Sequence, residues 1–161
     1  MTILSDSEIN TLIVEPKTTP AGLRPLTRTI ERNRHLRRDF EITGASGSNF
    51  MVSTRQSMLN PFDFSVILGY KMPGFNTIFR LRRYNGRSHF HTNTIEKQRI
   101  HDFHIHYATE RYQLFGGMKE DSFAVVTDRY QSLDSAVECL LADCGFIPPM
   151  EESPLFTGQS Q

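Results

Sequence analysis

The chain has 161 residues, 38% of them apolar and 22% charged, and a formal net charge of zero. That length supports one domain with a single core rather than two, and the balanced charge excludes a partner selected by bulk charge alone. The composition is ordinary for a globular chain, and no apolar run approaches the ~20 residues needed to span a bilayer.

Ser5-Asp6-Ser7-Glu8 has the Ser-x-x-Glu form of a capping box. Ile9, Leu12 and Ile13 follow at helical spacing, so a short amphipathic helix is expected, ended by Pro16. The opening segment lacks a basic stretch followed by a long apolar run, so no secretory leader is expected. Thr27 to Arg34 reads equally as a basic helical turn or an extended arm, within a run holding Arg24, Arg28, Arg32, Arg34, Arg37 and Arg38.

From Leu36 the period becomes two. Leu36, Phe40 and Ile42 alternate with Arg37, Asp39 and Glu41, the pattern of a half-buried strand. Gly44 to Asn49 forms a hairpin loop, and a second strand runs from Phe50 to about Met58. A third, carrying Phe64, Val66, Leu68 and Tyr70, has small or apolar residues on its other face and is expected to be central. Ile78 to Tyr84 is a fourth strand, and Asn85-Gly86 is a tight-turn signal. Arg87 to Thr92 is a fifth strand or the start of a loop, Ile95 to Ile100 is loop, and His101 to Thr109 is the last strand. Leu133, Val137, Leu140, Leu141 and Cys144 then repeat at helical spacing, with Ser132 as N-cap and Gly145 past the C-terminus.

The expected fold is α+β: an antiparallel sheet of five or six strands packed against a C-terminal helix, with a short N-terminal helix. Residues 1–147 form the single domain, and 148–161 a flexible tail rich in polar residues. Cys139 and Cys144 are the only cysteines, and five residues apart on one helix they suit a disulfide poorly. A reduced, cytoplasmic protein is expected.

The chemistry concentrates between Arg80 and Tyr112, which holds two His-x-His pairs, His89/His91 and His104/His106. In a strand, residues i and i+2 share a face. Asp102, His104 and His106 therefore oppose Phe103, Ile105 and Tyr107. If the two segments pair, four imidazoles gather beside several guanidiniums. The phrases FDFSVILGY, FRLRRYNGRSHxHTN and DFHIHxATERYQ resemble an uncharacterised family of small prokaryotic proteins, over roughly Glu15 to Cys144. The resemblance implies a prokaryotic source and a shared fold, and carries no catalytic residue and no established activity.

Three functional readings follow. A basic, histidine-bearing sheet face binds nucleic acid or another phosphate-rich ligand, through Arg80, Arg82, Tyr84 and Arg87. Arg80 and Arg82 share one face and stay exposed. Arg83 lies on the other face, half-buried with a carboxylate, unless the strand bulges near Tyr84. Alternatively His89, His91, His104 and His106 hold a transition metal such as Zn, with Asp102 or Glu110 adding a carboxylate. An RNase-like variant uses the same histidines as catalytic acid and base, Glu110 beside them and Arg83 stabilising a phosphorane. The third reading is a protein-interaction module, one half of a paired defence-type system, in which the acidic helix from Asp134 to Asp143 meets a basic partner or a second copy of the chain. No membrane association is expected. No Walker or Rossmann glycine loop is present.

Overall fold

A computed structural model describes residues 2–23 and 30–148. In chain order the elements are α1 (Asp6–Val14), β1 (Lys17–Thr18), β2 (Ile30–Arg32), β3 (His35–Thr43), β4 (Asn49–Ser57), β5 (Phe64–Lys71), β6 (Ile78–Asn85), β7 (His91–Asn93), β8 (Gln98–Ile100), β9 (His104–Tyr107), α2 (Glu110–Leu114), β10 (Phe123–Val126), α3 (Leu133–Asp143) and β11 (Phe146–Ile147). The proposed C-terminal tail and the arginines at 24 and 28 lie outside the described residues, apart from Pro148.

The main sheet is antiparallel, in the order β10-β9-β6-β5-β4-β3-β2. Its centre is β5, as the apolar character of both its faces implies. The α+β architecture read from the periodicity is the one observed, with α3 packed across β5 and β6. Leu133, Ala136, Val137, Leu140 and Leu141 form the buried stripe of α3. They meet Val66, Leu68, Leu81 and Tyr84, all without exposed surface. The Ser132 hydroxyl caps the helix by accepting the Ser135 N–H, and Gly145, at φ 75°, takes the left-handed conformation that ends it. The Ser5–Glu8 capping box starts α1 as read.

Several short elements escaped the periodicity. Residues 30–32 are extended and pair with β3. Residues 98–100, read as loop, form β8 and pair with β7 in a small hairpin apart from the main sheet. β10 adds to the edge of β9 beyond the strand read as the last. Among the described residues no helix is long and apolar enough to cross a membrane. Cys139 and Cys144 are free thiols.

The two ends of the domain meet at Lys17. Its Nζ donates to the carbonyls of Leu12, Ile13, Glu15 and Cys144, at 2.8–2.9 Å. These are carbonyls that the last turns of α1 and α3 leave without helical donors. The Phe50 ring lies 4.4 Å from the same ammonium. Burial pushes the Lys17 pKa down to about 8, although the carbonyl cage favours the charged form. Replacing Lys17 by Met keeps the aliphatic stem and strands the carbonyls. We expect a loss of about 3 kcal/mol in urea unfolding with an unchanged slope; an unchanged midpoint would contradict the capping role.

Candidate functional site

The site begins with a break in the register of β6. Leu68 pairs with Arg82 while Gly69 pairs with Arg80, so Leu81 is an extra, unpaired residue. Such a bulge resets the alternation of side chains. Leu81 and Arg82 both turn toward the face that carries Tyr84, and Arg80 and Arg83 share the opposite face. The expectation that Arg80 and Arg82 stand together is corrected by this bulge. Arg82 instead lies over the Tyr107 ring, 4.6 Å from its centroid. Arg83 has its carboxylate partner: Nε donates to Asp121 Oδ2 at 3.0 Å. Arg80 Nη2 stands 3.1 Å from Asp121 Oδ1, an ionic contact off the hydrogen-bond line. The N–H of Arg80, freed by the bulge, donates to Glu120 Oε1 at 2.9 Å.

Register then assembles one polar face. Arg55, Ser65, Asn85 and His104 are successive cross-strand neighbours on β4, β5, β6 and β9. Arg83 and His106 pair one step along. His104 and His106 do oppose Ile105, as their spacing implies, and they are buried rather than exposed, at 4% and 2%. The first His-x-His segment does not pair with the second, because β6 occupies that position beside β9. It reaches the same place through the hairpin. Asn93 on β7 is fully buried; its Nδ2 donates to the Ala124 carbonyl at 2.7 Å and its Oδ1 accepts the Ala124 N–H at 2.8 Å. One side-chain amide thus substitutes for a missing strand along β10. That docking sets the His91 ring 5.7 Å from His104 and 4.6 Å from His106, centroid to centroid.

Each imidazole of this trio is locked in one tautomer. A carbonyl only accepts, so the ring nitrogen facing it carries the proton. His104 Nδ1 donates to the Asp102 carbonyl and His106 Nδ1 to the Asp121 carbonyl, both at 2.7 Å. His91 Nε2 donates to the Ser122 carbonyl at 2.8 Å and faces Asn93 Oδ1 at 3.0 Å. The other nitrogens, His91 Nδ1, His104 Nε2 and His106 Nε2, are lone-pair acceptors with no hydrogen bond among the described residues. Burial, then the nearby Arg83 charge, pushes His106 down to about 2. Burial also lowers His104. Both are therefore neutral at physiological pH.

These residues line a cavity of about 210 Å³ with Arg55, Asp63, Ser88, His89 and Phe90 at its other walls. Arg55 bridges Asp63 at 2.9 Å and His35 at 3.2 Å. The Nη groups of Arg83 carry no hydrogen bond among the described residues, and Asn85 Oδ1 is buried without a partner. The loop that brings His89 and Phe90 leaves β6 at Gly86. That glycine is required by close approach rather than by a tight turn, since a Cβ there would lie 1.8 Å from the Phe62 carbonyl oxygen. Its N–H donates to Phe64 at 2.9 Å.

Of the residues read from sequence, His89, His91, His104 and His106 all line the cavity, with His89 exposed at the rim. Tyr84 does not: it has no exposed surface, and its hydroxyl donates to Asp143 Oδ2 at 2.7 Å. Arg87 is exposed over the Phe62 and Phe103 rings and lines a neighbouring cleft. Glu110 opens α2 outside the cavity, and Asp102 contributes only its carbonyl. Among the described residues no group of three or more His, Cys, Asp or Glu side chains is placed to hold a metal ion, so the geometry lends the metal reading no support. Arg55, Asn85, Asn93 and Asp121 were missed. Asn93 had one signal, its place two residues after His91 on the same strand face.

The neutral histidines couple stability to pH. On unfolding they return to an ordinary value of 6.5. As pH falls below that value the unfolded chain binds more protons than the folded one, so stability falls, by up to about 1.4 kcal/mol per pH unit per histidine. His106→Gln should remove the share of that loss that His106 contributes between about pH 6.5 and pH 5, and so flatten the pH slope in urea unfolding. An unaltered pH slope would count against burial in the neutral form.

No family model, no curated protein and no solved structure matches the chain, so its functional reading rests on the geometry of this cavity.

Proposed function

We propose that the cavity binds an RNA strand, taking a phosphate on Arg83 and the adjacent ribose hydroxyl on the imidazole acceptors. The supporting observation is the hydrogen-bond character of one small space. Three imidazole lone pairs accept, and the Nη groups of Arg83 donate. A fully ionised phosphate alone offers only acceptors and leaves those three unmatched. A ribose 2′-hydroxyl beside a phosphodiester supplies the donor, and DNA lacks it. Arg80, Arg83, Glu120 and Asp121 together are formally neutral. Recognition therefore leans on directed hydrogen bonds more than on net charge.

Cleavage of the strand is a second reading, favoured by neutral imidazole nitrogens beside an arginine. An imidazole takes the 2′-hydroxyl proton as that oxygen bonds to phosphorus. The bond from phosphorus to the 5′ oxygen breaks, and that oxygen receives a proton, leaving a 2′,3′-cyclic phosphate. His104 and His106, held neutral, do not supply that proton; His91 and His89 are the remaining imidazoles of the cavity, and His89, exposed at the rim, is the one assigned to it.

Fluorescence anisotropy with a short RNA and the DNA of identical sequence tests the binding reading. RNA should bind about tenfold more tightly, the worth of one matched hydroxyl. His91→Ala should erase much of that difference, and Arg83→Gln should weaken both strands and flatten the salt dependence by about 0.7 in slope, one phosphate contact on a single strand. Equal affinity for RNA and DNA would refute it. For the second reading, a cyclic-phosphate product that persists in chelator and disappears with His89→Ala is expected.

A further inference from the structure

We infer that the stacked side chains Arg99, Phe90 and His101, beside the cavity, form a base-stacking subsite that makes the ligand single-stranded RNA. The inference rests on the RNA reading above and names its substrate class. Phe90 is 56% exposed and forms part of the wall of the cavity. His101 lies 3.9 Å from its ring, centroid to centroid, with 18° between the planes. The Arg99 guanidinium carbon also lies 3.9 Å from the Phe90 centroid. Two groups at that distance would collide on one face, so Phe90 is the middle of three layers.

The register explains the column. His91 pairs with Ile100 at the base of the β7–β8 hairpin, which leaves Phe90 and His101 as the next cross-strand neighbours. Arg99 lies two residues from His101, on the same side of the strand. Arg99 and His101 are both exposed. Neither makes a side-chain hydrogen bond or ion pair among the described residues, so their outer faces are open planar surfaces. Aromatic rings and guanidinium planes are the groups on which unstacked bases rest, and such stacking tolerates any base because each has a π-face. The column therefore extends the cavity from phosphate and ribose to base. In a duplex the bases are already stacked and paired inside the helix, so they do not reach this column. A single strand with a splayed base does.

The exposure of Phe90 makes it a clean position to change. Phe90→Ala and Phe90→Trp would be compared with wild type by anisotropy, using a single-stranded RNA, its duplex, and a strand of the same length carrying one abasic site at each position in turn. Thermal midpoints and salt slopes would be measured alongside. Wild type should prefer the single strand. Phe90→Ala should lose about tenfold in affinity for it, at an unchanged salt slope, and Phe90→Trp should restore the loss. One abasic position should weaken wild type to the level of Phe90→Ala and leave that variant unaffected. If wild type binds RNA over DNA but Phe90→Ala binds as wild type, or if duplex and single strand bind equally, the stacking subsite is refuted while the cavity reading stands. If wild type binds no RNA, both fall.

Discussion

The extra residue at Leu81 is the constraint on which the site depends. In an unbroken β6, Arg83 would face away from Arg80, and the two would have no common partner. The bulge turns both toward Asp121, a carboxylate with no exposed surface. Asp121 in turn positions more than guanidiniums, because its backbone carbonyl fixes the proton on His106. A single residue, two positions before β10, therefore sets the orientation of an arginine and the tautomer of a histidine. Glu120 beside it satisfies the N–H that the bulge releases. Bulge, acidic pair and imidazoles are thus one connected polar unit, and burial makes an incomplete version of it costly.

The second determinant is the docking of the small hairpin. His91 belongs to no strand of the main sheet, yet it completes the imidazole trio because Asn93 holds β10 with the pairing of a peptide group. The edge strand gains a partner, and the cavity gains a wall. Three backbone carbonyls, from Asp102, Asp121 and Ser122, hold the ring protons in place. The three imidazoles that meet in the cavity are consequently oriented acceptors. Under the proposed reading, such acceptors are matched by a ligand that brings its own donors, which a simple basic patch would not require.

Much of the fold was legible because burial enforces a period. The strands from Leu36 to Tyr84 and the α3 stripe each have one face that must leave water, and both capping positions are local chemistry. The pairing of the His-x-His segments was not legible, since β6 competes for the same edge of β9 and no local signal ranks the two. The faces of Arg80, Arg82 and Arg83 were misjudged because a single inserted residue inverts parity without altering composition. Tyr84 looked available for stacking among arginines, but its hydroxyl finds Asp143 on a helix 59 residues further on. That the four histidines would share one region was readable from strand spacing, whereas their locked protons depend on carbonyls that only the folded chain brings near. Arg55 and Asn85 carried no signal, being ordinary strand residues until register placed them in one row.

The Lys17 cage has a kinetic meaning beyond its role as a cap. Its ammonium joins carbonyls of the first helix to Cys144, 127 residues away in sequence. A contact of that span closes a loop containing nearly the whole domain, and the entropy of that closure is lost before the contact returns any energy. The sheet between must be largely assembled when the two helix ends arrive. The cage is then a late event in folding, absent from the transition state, and it acts as a latch: it slows the opening of the finished domain while leaving the rate of its assembly almost untouched.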